Sequence, residues 1–198
     1  VDDGAETFFT GIERLPAAHN LVVESDFAGE PRVERYWHLE DHREVALSDP
    51  VAQFREALFE SVRVHARSDV AVGSCLAGGL DSSTIVSIAE RLRADGAVPR
   101  YGHHVFGYVP PDVELSEEPY MRLVAEQTGA DLTVVAPPMD DVLDAVPAIV
   151  EHQDEPFGTS SIAAQWFVFD AARRAGVKVM LDGQGADEVP AGYHSVFP

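Results

Sequence analysis

The 198-residue sequence predicts an α/β fold, a parallel sheet with helices on both faces, preceded by a short segment that contains a β-hairpin. Three observations carry that prediction. From Asp69 onward, short apolar runs alternate with stretches whose apolar residues recur every three or four positions, the pattern of strands buried on both faces and of crossover helices. Glycine-rich turns follow the first and the last of those runs. Before residue 48 the pattern is different, with two β-rich runs around a cluster of turn formers.

Taken in order, His19 to Glu24 and Arg32 to Trp37 form the two arms of the hairpin, and Asp26-Phe27-Ala28-Gly29-Glu30-Pro31 supplies its turn. Leu39 to Glu44 is a polar linker. Ser48-Asp49-Pro50 starts a helix, with proline near the first turn where its missing N–H is not needed, and Val51, Phe54, Leu58 and Val62 mark its apolar face. The first sheet strand is Val70 to Leu76, followed by a helix on Ile85, Ile88, Ala89 and Leu92 that Gly96 closes. The second is His104 to Val109, and a helix from Ser116 to Gly129 with Tyr120, Leu123 and Val124 facing inward comes next. Leu132 to Val135 is the third strand. Helices over 140–152 and 161–175 lead through Gly176 to the fourth, Val177 to Leu181. Repeated right-handed crossovers then give a parallel sheet. The expected division is 1–47 and 48–198.

Composition removes several classes of function. Fourteen Lys and Arg against 34 Asp and Glu leave a formal charge of −20, which opposes binding to nucleic acid. Lys178 is the sole lysine, a balance that suits a saline cytoplasm and an ordinary acidic protein alike. No apolar run reaches the roughly 20 residues of a membrane-spanning helix, and the start carries no secretory pattern. One cysteine, Cys75, allows neither an internal disulfide nor a thiolate zinc cluster, which agrees with a cytoplasmic protein. With no initiating Met and no closing helix, the chain reads as a piece of a longer protein.

Parallel sheets bind ligands beyond the carboxyl ends of their strands, so the turns after Leu76 and Leu181 are the candidates. The first, Ala77-Gly78-Gly79-Leu80-Asp81-Ser82-Ser83, joins two glycines, two hydroxyls and a helix N-terminus. That combination makes an anion cradle. A carboxylate inside such a cradle makes sense as a Mg²⁺ ligand bridging to phosphate, which points to Asp81. The second turn, Asp182-Gly183-Gln184-Gly185-Ala186-Asp187-Glu188, offers Asp187 as a second ligand. The lysine of a Walker loop and the spacing of a dinucleotide fingerprint are both missing from these turns. Elsewhere, His103-His104 has no third ligand at metal spacing. Trp166, Phe167 and Phe169 read as core packing, Asp140-Asp141 as a helix start, and Cys75 as a small core residue.

Gly78-Gly79-Leu80-Asp81-Ser82 after an apolar strand resembles the pyrophosphate loop of ATP-pyrophosphatase domains. Together with Gly183-x-Gly185-Ala186-Asp187-Glu188, it is similar to the glutamine-hydrolysing asparagine synthetase family. Glu155-Pro156-Phe157, Ala172-Arg173 and Gly176-Val177-Lys178-Val179 resemble that family's synthetase domain. Phe8-Phe9-x-Gly11-Ile12-x-x-Leu15-Pro16 and Tyr36-Trp37 resemble the end of its glutaminase domain. The resemblance implies an adenine nucleotide alpha-hydrolase-like fold from residue 48, with the tail of the glutaminase domain before it. It implies that ATP is held by Gly78, Gly79, Asp81, Ser82 and Ser83 at the β,γ-phosphates, by Leu76 and Phe106 around the adenine, and by Gly183 near the α-phosphate. Asp81 and Asp187 would bind Mg²⁺ and, with Gln184, form the catalytic set. The implied substrates are aspartate or another carboxylate and ammonia from glutamine. The implied reaction passes through an acyl-adenylate, and a homodimer is admitted for the full-length protein. The same resemblance leaves Asp154-Glu155-Pro156 readable as a site rim as well as a plain loop.

Departures from the pattern matter. Ala77 stands where the family commonly has serine, a loss of about 1 kcal/mol of binding if backbone donors remain. Gln184 stands where well-studied members have a carboxylate, so charge and basicity are lost at that point. Asp182 replaces a serine and puts a carboxylate two residues away. Pro190 and Ala191 replace an aromatic and a glycine ahead of Gly192-Tyr193. Neither turn contains Lys or Arg, so cations for a triphosphate are expected from elsewhere, and the isolated chain is expected to bind nucleotide weakly and to be inactive alone.

Overall fold

The computed structural model describes residues 4–25, 29–42, 48–98, 103–111 and 116–189. The chain divides into two compact units, Val1–Pro50 and Val51–Pro198. In the first, β1 (His19–Val22) pairs antiparallel with β2 (Arg32–Arg35), with Leu21 opposite Val33. A short 3₁₀ turn spans Leu39–His42. Residues 26–28 of the expected hairpin turn, and residues 190–193 after the second glycine turn, lie outside the described residues.

The second unit begins with α1 (Pro50–His65) and continues through β3 (Val72–Cys75), α2 (Leu80–Ala94), β4 (His104–Tyr108), α3 (Glu118–Thr128), β5 (Asp131–Val135), α4 (Met139–Gln153), α5 (Ser160–Arg174) and β6 (Val179–Leu181). Its four strands lie in the order β5-β4-β3-β6 and all pair in parallel. The α/β class, the parallel sheet and the preceding hairpin are therefore as the sequence predicts.

Period-two alternation places helices on both faces. Val105 of β4 packs with Leu76, Val86 of α2 and Met121 of α3, while its neighbour Phe106 packs with Val168 and Ala172 of α5. Outside α2, Val62 of α1 and Ala66 just after that helix complete a further cluster with Ile88, Ala89 and Leu92.

Five inward-facing assignments, spread over three helices, are corrected. On α3 the buried residue is Met121, with Val124 beside it, whereas Tyr120 and Leu123 are exposed. Val51 and Phe54 of α1 and Phe169 of α5 are exposed as well. Aromatic or aliphatic character marks a helix as amphipathic but leaves its rotation open at the ends, where the partner surface runs out. α3 also starts at Glu118 instead of Ser116, whose Oγ accepts the Glu118 N–H at 3.3 Å.

Strand order fixes where a ligand can enter. From β3 the chain moves one way, to β4 and β5, and then returns to β6 on the other side of β3. Successive connections therefore diverge at the carboxyl ends of β3 and β6, which opens a crevice between the two turns that leave them.

Candidate active site

Register brings the two glycine turns together. Ser74 of β3 pairs with Leu181 of β6, so the chain leaves both strands at the same edge. Gly183 then runs directly against the start of α2. A Cβ added at Gly183 would stand 3.1 Å from Ser82 N and 3.3 Å from Asp81 Cβ. Glycine is favoured there because two stretches of backbone run close together, and a Cβ would need its neighbour to give by a few tenths of an ångström.

The first turn is shaped by its neighbours. Gly78 adopts φ +89°, and a Cβ on it would meet the Glu117 carbonyl oxygen at 2.9 Å. Ser82 is buried, and its Oγ accepts the Ala77 N–H at 3.0 Å, which closes the turn while leaving its own O–H free to donate. Gly79 differs. Its backbone, φ −72° and ψ 169°, suits any residue, and a Cβ would meet nothing within 4 Å. Gly79 is the N-cap of α2 and makes no side-chain cap bond, so the first amides of that helix face the opening without a side-chain acceptor. One turn along, Ser83 Oγ is buried without a hydrogen-bond partner. Uncapped amides and an orphaned hydroxyl are donors suited to phosphate oxygens.

Next to this cradle lies a cavity of about 620 Å³. Leu76, Phe106 and Val168 give it an apolar wall, and Asp182, Gln184 and Glu117 give it a polar rim. Phe106 and Leu76 are locked in place by the Leu76 N–H to Phe106 carbonyl bond of 2.9 Å. Asp182 is held by the Gly183 N–H, 2.7 Å from Oδ1, and by the Gln165 amide, 3.3 Å from Oδ2. Cys75 also lines the cavity and is only partly buried. Burial, and secondarily the Asp182 charge, pushes its thiol up to about 12, which makes it a poor nucleophile at neutral pH.

Each site residue from the sequence thus has a place. Gly78, Gly79, Asp81, Ser82 and Ser83 lie at the start of α2, and Gly183 abuts Asp81 and Ser82. Leu76, Phe106 and Gln184 line the cavity. Asp187, partly buried, follows four residues after Gly183 in the same turn. Among the described residues no three His, Cys, Asp or Glu side chains gather as a metal-holding group. The donor set nevertheless fits Mg²⁺, which takes one or two carboxylates and completes its shell with phosphate and water oxygens.

Asp154, by contrast, ends α4 in the left-handed conformation, φ 59°, which is a local helix-stop role. His103 is structural: its Nε2 meets Ser74 Oγ at 2.7 Å and its Nδ1 meets Glu90 Oε1 at 2.9 Å, all three buried. Two site neighbours carry no sequence signal. Glu117 packs under Gly78 and Gln165 steadies Asp182, and both contacts join elements far apart in the chain.

Comparison with known proteins shows the family. The asparagine synthase family profile matches residues 53–198. A glutamine-hydrolysing asparagine synthetase of Bacillus subtilis is 35% identical over 144 residues, covering 73% of this chain and 22% of that protein. A putative asparagine synthetase of the same type from Mycobacterium bovis is 30% identical over 195 residues, covering 95% of this chain and 28% of that protein. The chain thus spans about a quarter of the length of these relatives. Among solved structures, an NH₃-dependent NAD synthetase from Campylobacter jejuni superposes with a TM-score of 0.46 at 15% identity, covering 74% of this chain and 62% of that one.

Proposed function

The chain belongs to the asparagine synthase family, and from that premise we propose that it is the nucleotide-binding part of an ATP-dependent, amide-forming ligase with aspartate as the acceptor carboxylate and glutamine-derived ammonia as the nitrogen source. One observation carries the proposal. The turn after β6 packs its Gly183 against the uncapped start of α2, so two glycine-rich turns border a single opening beside an apolar cavity.

In this reading the triphosphate lies on the α2 amides, with Gly79 leaving room for it and Ser82 and Ser83 donating O–H bonds. Asp81 and Asp187 would hold Mg²⁺, which would supply positive charge to offset that of the pyrophosphate. The cavity wall of Leu76 and Phe106 receives the nucleoside. A carboxylate oxygen then bonds to the α-phosphorus as the bond to the pyrophosphate oxygen breaks. Ammonia next bonds to the activated carbonyl carbon, AMP leaves with its electron pair, and a proton passes to solvent. Activation is needed because a carboxylate oxygen leaves poorly whereas AMP leaves well. Gln184 sits on the rim and can orient a substrate by hydrogen bonds, but it supplies no base at neutral pH.

The test is substrate-dependent pyrophosphate release by the complete protein. Release that needs aspartate, with asparagine as product, supports the proposal. Release with a different carboxylate would keep the adenylating chemistry and replace the acceptor, as in a lactam- or amide-forming relative. No release with any carboxylate would leave a nucleotide-binding module without this activity.

A further inference from the structure

Among the described residues, the side chains of α2 make two hydrogen bonds that leave the helix, one toward each end. Ser82 Oγ accepts the Ala77 N–H at 3.0 Å, and Glu90, about 12 Å farther along the helix axis, meets His103 at 2.9 Å. The other side-chain bonds of α2 stay within the helix or at its cap. The second pin belongs to a buried chain that the site does not use. As a carboxylate Glu90 only accepts, so His103 Nδ1 is the donor; Nε2 of the neutral ring is then an acceptor, and the Ser74 O–H donates to it at 2.7 Å. Ser74 is 0% exposed and has no water to turn to instead.

A second proton on the ring reverses the last link. Nε2 becomes a donor, and the buried Ser74 hydroxyl loses its acceptor. The imidazolium must also share the Glu90 carboxylate with Arg93, and it has His104 as a further basic neighbour. His104 itself meets Asp131 of β5 at 3.3 Å, while Ala66, Val72 and Leu181 bring only apolar surface to the ring's surroundings. A small cavity of about 30 Å³ bordered by His103 and Arg93 has room for about one water molecule, and it gives the ring a way out of the Ser74 contact.

We propose that Ser74, His103 and Glu90 form a proton-operated latch that holds the far end of α2 against β3, and that a proton on His103 opens it. Once open, α2 keeps its polar pin at Ser82 alone and turns about it, so the amides that start the helix lose their fixed aim. Glu90 and His103 are thus positioning residues that act through the helix and touch no ligand. Burial holds the ring below the ordinary 6.5 against the pull of Glu90. The latch is therefore closed at neutral pH and opens in mild acid, below the ordinary histidine range. Its consequence for MgATP rests on the nucleotide reading above; the latch itself does not.

The experiment measures amide hydrogen exchange of the complete protein and of its His103→Gln and Glu90→Gln variants from pH 7.5 to pH 5, corrected for intrinsic rates, with α3 as the internal reference. Thermal melting at pH 7.5 checks that each variant folds, and either variant suffices for the comparison. In the unmodified protein, protection of residues 80–94 falls about tenfold relative to α3 across that range. In His103→Gln the ratio stays flat, and in Glu90→Gln, which removes the charge that favours the imidazolium, the fall moves to lower pH. Calorimetry with MgATP follows the same profile: affinity drops about fivefold more in the unmodified protein than in His103→Gln, where the titration of the nucleotide itself is common to both. A flat ratio in the unmodified protein, or the same fall in His103→Gln, overturns the latch. Loosening of α2 without the extra loss of affinity overturns its coupling to the site. If MgATP binds at no pH the nucleotide reading fails, and the exchange profiles still decide the latch.

Discussion

Single residues separate what holds the turn together from what would meet a ligand. Gly78 and Gly79 are adjacent and chemically identical, yet their surroundings give opposite expectations. Alanine at Gly78 must adopt φ near +89° and push against the Glu117 carbonyl, so destabilisation of about 1–2 kcal/mol or more follows, read as a lower midpoint in urea. Alanine at Gly79 meets no protein atom within 4 Å and an ordinary backbone conformation, so the melting temperature stays the same. The added methyl group stands where phosphate would approach, and MgATP affinity measured by calorimetry drops about tenfold or more. Unchanged affinity in a folded Gly79→Ala protein would remove the cradle from the account. Gly183→Ala tests the neighbouring contact. With Ser82 N only 3.1 Å from the new Cβ, the two turns must separate, and both stability and nucleotide affinity fall together.

At the level of elements, a polar chain ties the sheet to α2. Glu90 of α2 receives Arg93 in a two-pronged pair and also receives His103, which in turn meets Ser74 of β3. Burial is the leading influence on His103 and lowers its pKa from the ordinary 6.5, with Glu90 opposing that shift. The folded protein therefore resists a proton that the unfolded chain accepts. His103 contributes stability that is fully present above the ordinary histidine range and is lost as pH falls through that range toward its depressed folded value. Urea midpoints of wild type and His103→Gln, compared from pH 7.5 to pH 5, are expected to converge at the acidic end. A constant gap across that range would refute the linkage.

The same elements show what a sequence reveals and what it hides. β3 to β6 and the helices between them were legible because their apolar periodicities and glycine stops are local signals; each lies within a few residues of its expected place. The two turns stood out as a candidate site because their glycines, hydroxyls and carboxylates are contiguous. Contacts between distant segments were not. Glu90 and His103 meet across 13 residues, Ser74 and His103 across 29, and no spacing rule marks such pairs. The helix faces failed for a related reason: Tyr120 fits the periodicity of α3 as well as Met121 does, and only the position of the sheet beneath decides between them.

For the whole molecule, charge is the governing quantity. A formal −20 across 198 residues, with neither turn carrying Lys or Arg, opposes a polyanionic ligand. The cavity lining repeats the pattern, with Asp182 and Glu117 and no Lys or Arg among its described residues. Mg²⁺ bound with the nucleotide would offset part of this, and the remainder calls for cations that these segments do not hold. This chain in isolation therefore binds MgATP more weakly than micromolar, and raising magnesium improves binding more than raising monovalent salt does. A micromolar dissociation constant in calorimetry would show that the amide cradle suffices without added cations.

The central claim is that both turns grip one nucleotide, and a crystal structure of the complete protein with Mg²⁺ and a non-hydrolysable α,β-analogue of ATP tests it most directly. The account predicts the triphosphate against the amides that start α2 with Gly183 on its other side, and Mg²⁺ between Asp81 and Asp187. Nucleotide density touching only one of the two turns, or lying elsewhere on the protein, would contradict it.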